Sequence, residues 1–144
     1  MSEPFKFSVP VKVRFNETDL QGHVNFAHYL SYFDVGLTEY LAAIGYGYPA
    51  MLTEGVDMLY AEAHCNYLAS AQWPEVLNIH TRIAHLGRRS IRYEFDLRAE
   101  KDGRQVATGY IVAIAAERGT WAECEVPEKL RQAAEAYEGR EAGQ

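Results

Sequence analysis

Val9, Val11, Val13 and Phe15 alternate with Lys12, Arg14 and Asn16, the period-two pattern of a half-buried strand. Further on the period changes. Phe26, Tyr29, Leu30, Phe33, Leu37, Tyr40, Leu41 and Ile44 recur at helical spacing and fall on one stripe. Asn25 stands where an N-cap belongs and Gly45 where a C′ glycine belongs, so the spacing predicts a helix over 26–44. Gly36 inside that helix costs about 1 kcal/mol relative to Ala, a cost that close backbone contact with a sheet would explain. Beyond the glycine-rich connection at 45–47 nearly everything reads as strand. Residues 55–69 are extended in character, and Leu77, Ile79 and Ile83 lie in a run that stops at Gly87. Ile91, Tyr93, Phe95 and Leu97 then alternate with charged residues. Asp102-Gly103 supplies a hairpin turn, and 106–115 returns as another strand. Pro127 opens a short, largely exposed C-terminal helix over about 127–138.

One strand, one long helix and four further strands predict an α+β domain, a central helix wrapped by a curved antiparallel sheet of about five strands. A single helix cannot cover both edges of such a sheet. Edge pairing into a homodimer or homotetramer is therefore expected. No repeat or linker divides the chain, so residues 1–144 are expected to be one domain with its core at about 8–118.

Composition narrows the function classes. With 144 residues and 48% hydrophobic content the chain can bury an ordinary core. No apolar run approaches the roughly 20 residues of a membrane-spanning helix, and the N-terminal segment lacks the pattern of a secretory signal. Two cysteines, Cys65 and Cys124, make neither a disulfide framework nor a metal pattern. His64 and His80 lack ligand spacing, so no metal site is expected. A cytoplasmic protein that does not engage membranes is the expectation. The net charge of −6 argues against nonspecific nucleic-acid binding. Arg82, Arg88, Arg89 and Arg92 nonetheless cluster in one short stretch, a local basic rim suited to a phosphorylated carrier.

The candidate chemistry lies between the first strand and the helix, in Thr18-Asp19-Leu20-Gln21-Gly22-His23-Val24-Asn25-Phe26-Ala27-His28-Tyr29-Leu30. An acidic side chain, a turn glycine and a helix N-terminus fall within one short reach. With Asn25 as N-cap, the Phe26 backbone N–H lacks an intrahelical partner and, backed by the helix dipole, can meet a developing oxyanion. Asp19 can act as a nucleophile, forming an anhydride that water opens, or as a general base for water. His23 is a candidate base or substrate contact. Asn25 combines capping with a contact to substrate or water.

The strand VPVKVRF, the loop TDLQGHVNFAHYL, the helix through SYFDVGLTEYL and the later LGRRSIRYEFDL and DGRQVATGYIVAIA together resemble the hotdog-fold acyl-CoA thioesterases, specifically the 4-hydroxybenzoyl-CoA thioesterase-like group. The resemblance covers residues 8–130. It implies hydrolysis of an acyl-CoA thioester, with Asp19 as the catalytic carboxylate, the Phe26 N–H polarising the carbonyl and Gly22 as the turn glycine before the helix. Asp34 falls near the acyl group, and Arg88, Arg89 and Ser90 match a region near the CoA nucleotide. Pocket depth is expected to depend on how Tyr29, Phe33, Tyr60 and the opposite subunit pack. The sequence His23-Val24-Asn25 departs from the hydroxybenzoyl branch and is closer to thioesterases acting on fatty or other aryl acyl groups. No cofactor is implied, because CoA is part of the substrate. The alternatives are a hydratase or dehydratase of similar fold, and a non-catalytic acyl-thioester binding module.

Overall fold

Strand β1 (Phe7–Lys12) keeps the expected alternation but ends earlier than the valine pattern suggests. Val13 is fully buried and its N–H donates to the Glu75 carbonyl at 2.9 Å. The chain then curls into one 3-10 turn, Phe15–Glu17, which leaves Phe15 73% exposed. The cause is Glu17, whose carboxylate accepts the Arg14 backbone N–H at 2.8 Å and draws the chain out of the sheet. The structure, a computed structural model, describes residues 5–139. The outer ends of the expected 1–144 domain lie outside the described residues.

Helix α1 spans His28–Ala43, two residues shorter at its start than expected. Asn25 does not cap it directly. Its Oδ1 accepts the Ala27 N–H at 3.0 Å and its carbonyl accepts the His28 N–H at 3.0 Å, an Asx-type turn that leaves Ala27 in the N-cap position. The far end closes as expected. Gly45 takes φ +91°, its N–H donates to the Ala42 carbonyl, and the Tyr46 N–H donates to the Leu41 carbonyl at 2.9 Å, a Schellman motif.

The chain then forms a helix the pattern did not reveal, α2 (Tyr48–Glu54). At seven residues, with only Met51 buried, it is too short to carry a periodic stripe. Gly47 is its N-cap and Gly55, at φ +69°, its left-handed end, while the Tyr46 hydroxyl donates to Glu54.

Four strands follow: β2 (Val56–Tyr67), β3 (Val76–Leu86), β4 (Ser90–Ala99) and β5 (Gln105–Glu117). They join β1 in one antiparallel sheet of order β1-β3-β4-β5-β2. The expected α+β architecture is the observed one. The inward positions of β4 are buried without a break, from Ile91 to Ala99. They meet α1 across the core, where Phe33 stacks on Phe95 with centroids 4.6 Å apart. Gly36 lets α1 approach the neighbouring strand β3, since a Cβ there would lie 2.5 Å from Ile79 Cγ2 and 2.6 Å from Thr81 Oγ1. Helix α3 (Glu128–Glu138) is less exposed than expected. It buries Leu130, Ala134 and Glu138, and the Tyr40 hydroxyl donates to Glu138 at 2.6 Å. Strand β2 is left as a sheet edge, with a bulge between Tyr60 and Glu62.

Candidate active site

The loop between the 3-10 turn and α1 is a small hairpin. Thr18 bridges Val24, the Asp19 N–H donates to the His23 carbonyl at 2.9 Å, and the Gly22 N–H donates to the Asp19 carbonyl at 3.0 Å. Gly22 adopts φ +80°, the left-handed position that such a turn and bulge require. No atom lies within 4 Å of where its Cβ would be, so backbone conformation rather than crowding selects glycine. The turn holds Asp19 at the surface. Asp19 Oδ1 accepts the Gln21 N–H at 2.9 Å, while Oδ2 meets no hydrogen-bonding partner among the described residues.

Glu17 anchors this hairpin from below. It is 5% exposed and accepts the Tyr32 hydroxyl at 2.8 Å and the Arg14 guanidinium at 3.0 Å, besides the Arg14 N–H. Burial pushes its carboxyl up. The Arg14 N–H, the Tyr32 hydroxyl and the Arg14 charge together outweigh that and hold it below the ordinary carboxylate value. The Glu17 carbonyl also accepts the Asn25 N–H at 2.8 Å, so the two ends of the loop are tied at one residue.

The Phe26 N–H donates to no group among the described residues. It stands at the positive end of α1, whose first turn carries no acidic side chain to offset the dipole. Tyr67, at the end of β2, donates its hydroxyl to the Phe26 carbonyl at 3.0 Å, and its ring meets those of Phe26 and Tyr29 edge-on. Asp19, Gln21, His23, Phe26, Tyr29 and Tyr67 line one cleft of about 420 Å³ whose far wall is 68–70. Tyr29 is buried, and burial pushes its hydroxyl up despite the Ala71 backbone hydrogen bond.

Of the expected residues, Asp19, His23, Phe26 and Tyr29 line this cleft and Gly22 makes its turn, while the others do not line it. Asn25 builds the turn and is not among the residues lining the cleft. Asp34 lies farther along α1, where its Oδ1 accepts the Tyr60 hydroxyl at 2.5 Å. Arg88 and Arg89 lie in the β3–β4 turn, and Ser90 opens β4. Lys12 pairs with Val76 at the start of β3, and the turn lies beyond the other end of that strand, roughly 30 Å away at about 3.3 Å per residue. Arg88 pairs there with Glu125 at 3.7 Å, both side chains well exposed. Within one chain these three are therefore not part of the cleft. Sequence reasoning missed Gln21, Tyr67 and Ser70 as cleft residues and Glu17 as the anchor. For Tyr67 no local signal exists, because only the edge position of β2 beside α1 brings it to Phe26. Among the described residues no group of three or more His, Cys, Asp or Glu side chains is placed to hold a metal ion.

The family model described as the thioesterase-like superfamily matches residues 13–134. A putative esterase from Aquifex aeolicus is 28% identical over 114 residues, which cover 74% of this chain and 89% of that protein. The acyl-CoA thioesterase YbgC of Haemophilus influenzae is 28% identical over 89 residues, 61% of this chain and 65% of that one. Among solved structures, a DHNA-CoA thioesterase from Staphylococcus aureus superposes with a TM-score of 0.82 at 23% identity, covering 92% of this chain and 88% of that one. The shared architecture is the hotdog fold.

Proposed function

This chain belongs to the thioesterase-like superfamily and is a thioester hydrolase, and from that premise we propose that it cleaves an acyl-CoA to the free acid and CoA, using Asp19 and the Phe26 N–H. One observation carries the reading: an Asp19 carboxylate oxygen and a Phe26 N–H, neither of which has a partner among the described residues, line the same cleft at the positive end of a helix. The thioester carbonyl oxygen takes the Phe26 N–H, which stabilises the tetrahedral oxyanion as it forms. The attacking oxygen is that of Asp19 itself, giving an acyl-aspartyl anhydride that water hydrolyses, or that of a water whose proton Asp19 accepts. In either case the C–S bond breaks and the thiolate leaves without a strong acid, since a thiol has a pKa of about 8.5. The acyl carbon ends with the water oxygen, and the chemistry asks for no cofactor beyond the CoA of the substrate. His23 and Tyr29 flank the acyl group.

A homodimer completes the proposal. Strand β2 is an unpaired edge with Leu59 and Tyr60 exposed, the kind of edge that pairs with its own copy. Antiparallel pairing reverses the partner end for end. The partner subunit's Arg88, Arg89 and Ser90 then lie at the same end as Asp19, where a CoA phosphate could meet them; a homotetramer would assemble from such dimers. A cytoplasmic site of action fits the two free cysteines, Cys65 and Cys124.

The test is thiol release from short, long and aromatic acyl-CoAs by the wild type and by Asp19→Asn. Turnover that falls at least 100-fold in a folded Asp19→Asn supports the reading. Equal turnover by the variant removes Asp19 from the chemistry, and no turnover by either returns the fold to a hydratase or a binding module.

A further inference from the structure

The two groups assigned to the chemistry sit at opposite ends of one loop, so whatever fixes that loop sets their separation. Asp19 follows the 3-10 turn and Phe26 precedes α1. One buried side chain ties both ends. Glu17 Oε1 accepts two hydrogen bonds of 2.8 Å, from the Arg14 N–H just past β1 and from the Tyr32 hydroxyl on α1. Oε2 turns the other way and meets the Arg14 guanidinium at 3.0 and 3.3 Å, on a side chain that is 76% exposed. The Glu17 carbonyl accepts the Asn25 N–H at 2.8 Å. The Asn25 carbonyl in turn accepts the His28 N–H at 3.0 Å, which fixes the peptide plane that carries the Phe26 N–H. Asp19 lies two residues beyond Glu17, on backbone held by the Thr18–Val24 bridge. Tyr32 extends the tie to the cleft wall, since its ring meets that of Tyr29 edge-on with centroids 6.2 Å apart. The loop already closes through its own bonds, from the Asp19 N–H to the His23 carbonyl and from the Gly22 N–H to the Asp19 carbonyl. What Glu17 adds is a fixed position of that loop relative to α1.

We propose that Glu17, through Oε1 and its bond from Tyr32, is a positioning residue that sets the Asp19 carboxylate at attacking distance from a carbonyl held by the Phe26 N–H. The inference rests on the thioesterase reading above and adds a residue to its site. Glu17 is not among the residues lining the cleft, so it acts through the loop rather than on the substrate. Rate is sensitive to such placement: a displacement of about 1 Å costs roughly 100-fold. The two carboxylate oxygens divide the work. Oε1 holds the loop to α1, while Oε2 faces an exposed guanidinium that water can replace. Glu17→Gln separates the two. Its amide keeps an oxygen toward the Arg14 N–H and the Tyr32 hydroxyl, because an NH2 group there would face two donors. Its nitrogen then turns to the Arg14 side. The charge of Glu17 therefore matters to stability, and the oxygen facing Tyr32 matters to rate.

The experiment reads kcat for thiol release from hexanoyl-, palmitoyl- and benzoyl-CoA, at a temperature where calorimetry shows each variant folded. Binding of the hexyl-CoA thioether, which cannot be hydrolysed, is measured beside it. Amide hydrogen exchange at Asp19 and Asn25, followed by NMR, reports the loop directly. Glu17→Ala should lower kcat by about 30-fold or more while thioether affinity stays within about threefold. Exchange at the Asn25 N–H should quicken about tenfold or more. Glu17→Gln should return kcat to within about fivefold of wild type and restore slow exchange. Arg14→Ala, which leaves both donors to Oε1 in place, should behave like Glu17→Gln. A merely structural role would lower Tm in every variant without separating Glu17→Gln from Glu17→Ala in kcat. A folded Glu17→Ala with kcat within threefold of wild type overturns the proposal, as does a Glu17→Gln as slow as Glu17→Ala. If Glu17→Ala does not fold, Tyr32→Phe takes its place: a kcat loss of about fivefold or more is expected, and an unchanged kcat overturns the proposal. If the wild type releases no thiol from any acyl-CoA while exchange follows the stated pattern, the thioesterase reading fails and the positioning of the loop stands. Thiol release without that pattern keeps the thioesterase reading and overturns the positioning.

Discussion

Replacing Tyr32 with Phe tests how the loop that carries Asp19 is held. The substitution removes one hydroxyl, which donates at 2.8 Å to the 5%-exposed Glu17 carboxylate, and leaves the ring that packs beneath α1. A hydrogen bond to a charged group contributes about 1.5–3 kcal/mol, more than the 0.5–1.5 kcal/mol of a neutral one. Unfolding entropy of about 2.1 cal/mol/K per residue gives roughly 0.3 kcal/mol/K for a chain of this length, so Tm at pH 7 should fall by about 5–10 °C. The loss should depend on pH in a definite sense. The folded-state pKa of Glu17 lies below its ordinary value of 4.5. Its stabilising contribution is therefore complete above that value and disappears as pH falls through the depressed one. The gap between wild type and Tyr32→Phe should accordingly be widest at neutral pH and narrow below about 4.5. Calorimetry across pH 3 to 7, with urea unfolding at the extremes, measures both effects. A Tm change under 2 °C at pH 7, or a gap just as wide at pH 3, would falsify the account of Glu17 as an ionised anchor.

Two further substitutions probe the site and the core. Phe26→Pro deletes the N–H assigned to the oxyanion and should lower kcat for thiol release by about 10²–10³, whereas Phe26→Ala keeps the donor and should lose far less. A folded Phe26→Pro enzyme of wild-type activity would take that N–H out of the mechanism. Gly36→Ala places a methyl 2.5 Å from Ile79 Cγ2 and 2.6 Å from Thr81 Oγ1, both on fully buried residues. Overpacking of about 1–3 kcal/mol exceeds the roughly 1 kcal/mol gained in helix propensity. Tm should drop by about 3 °C, and a rise would show that the helix can lift from the sheet without strain.

Much of this protein was legible along the chain because its signals are local. The stripe from Tyr29 to Leu41, the Gly45 terminator, the alternation from Ile91 to Leu97 and the turn glycine Gly103, at φ +71°, each show in neighbouring residues which way a side chain faces or a backbone bends. The same holds for the loop from Asp19 to Phe26, where turn, carboxylate and helix start adjoin in sequence. Other features depend on which elements become neighbours. The start of α1 shifted to His28 because the Asn25 side chain was taken by the Ala27 N–H. Helix α2 escaped notice because seven residues resting on Met51 carry no period.

Tyr67 and Tyr60 face the helix only because the sheet order puts β2 at the edge beside α1, and the same order sends Arg88 to the far end of the sheet. The sequence alone therefore determined the central helix, the sheet class and the loop to which the proposed chemistry is assigned. The tertiary structure decided what surrounds that loop: the Tyr67 wall and the Glu17 anchor. The physical reason is that hydrophobic periodicity encodes the inward face of each element, while the choice of neighbour across that face is made by packing between segments distant in sequence.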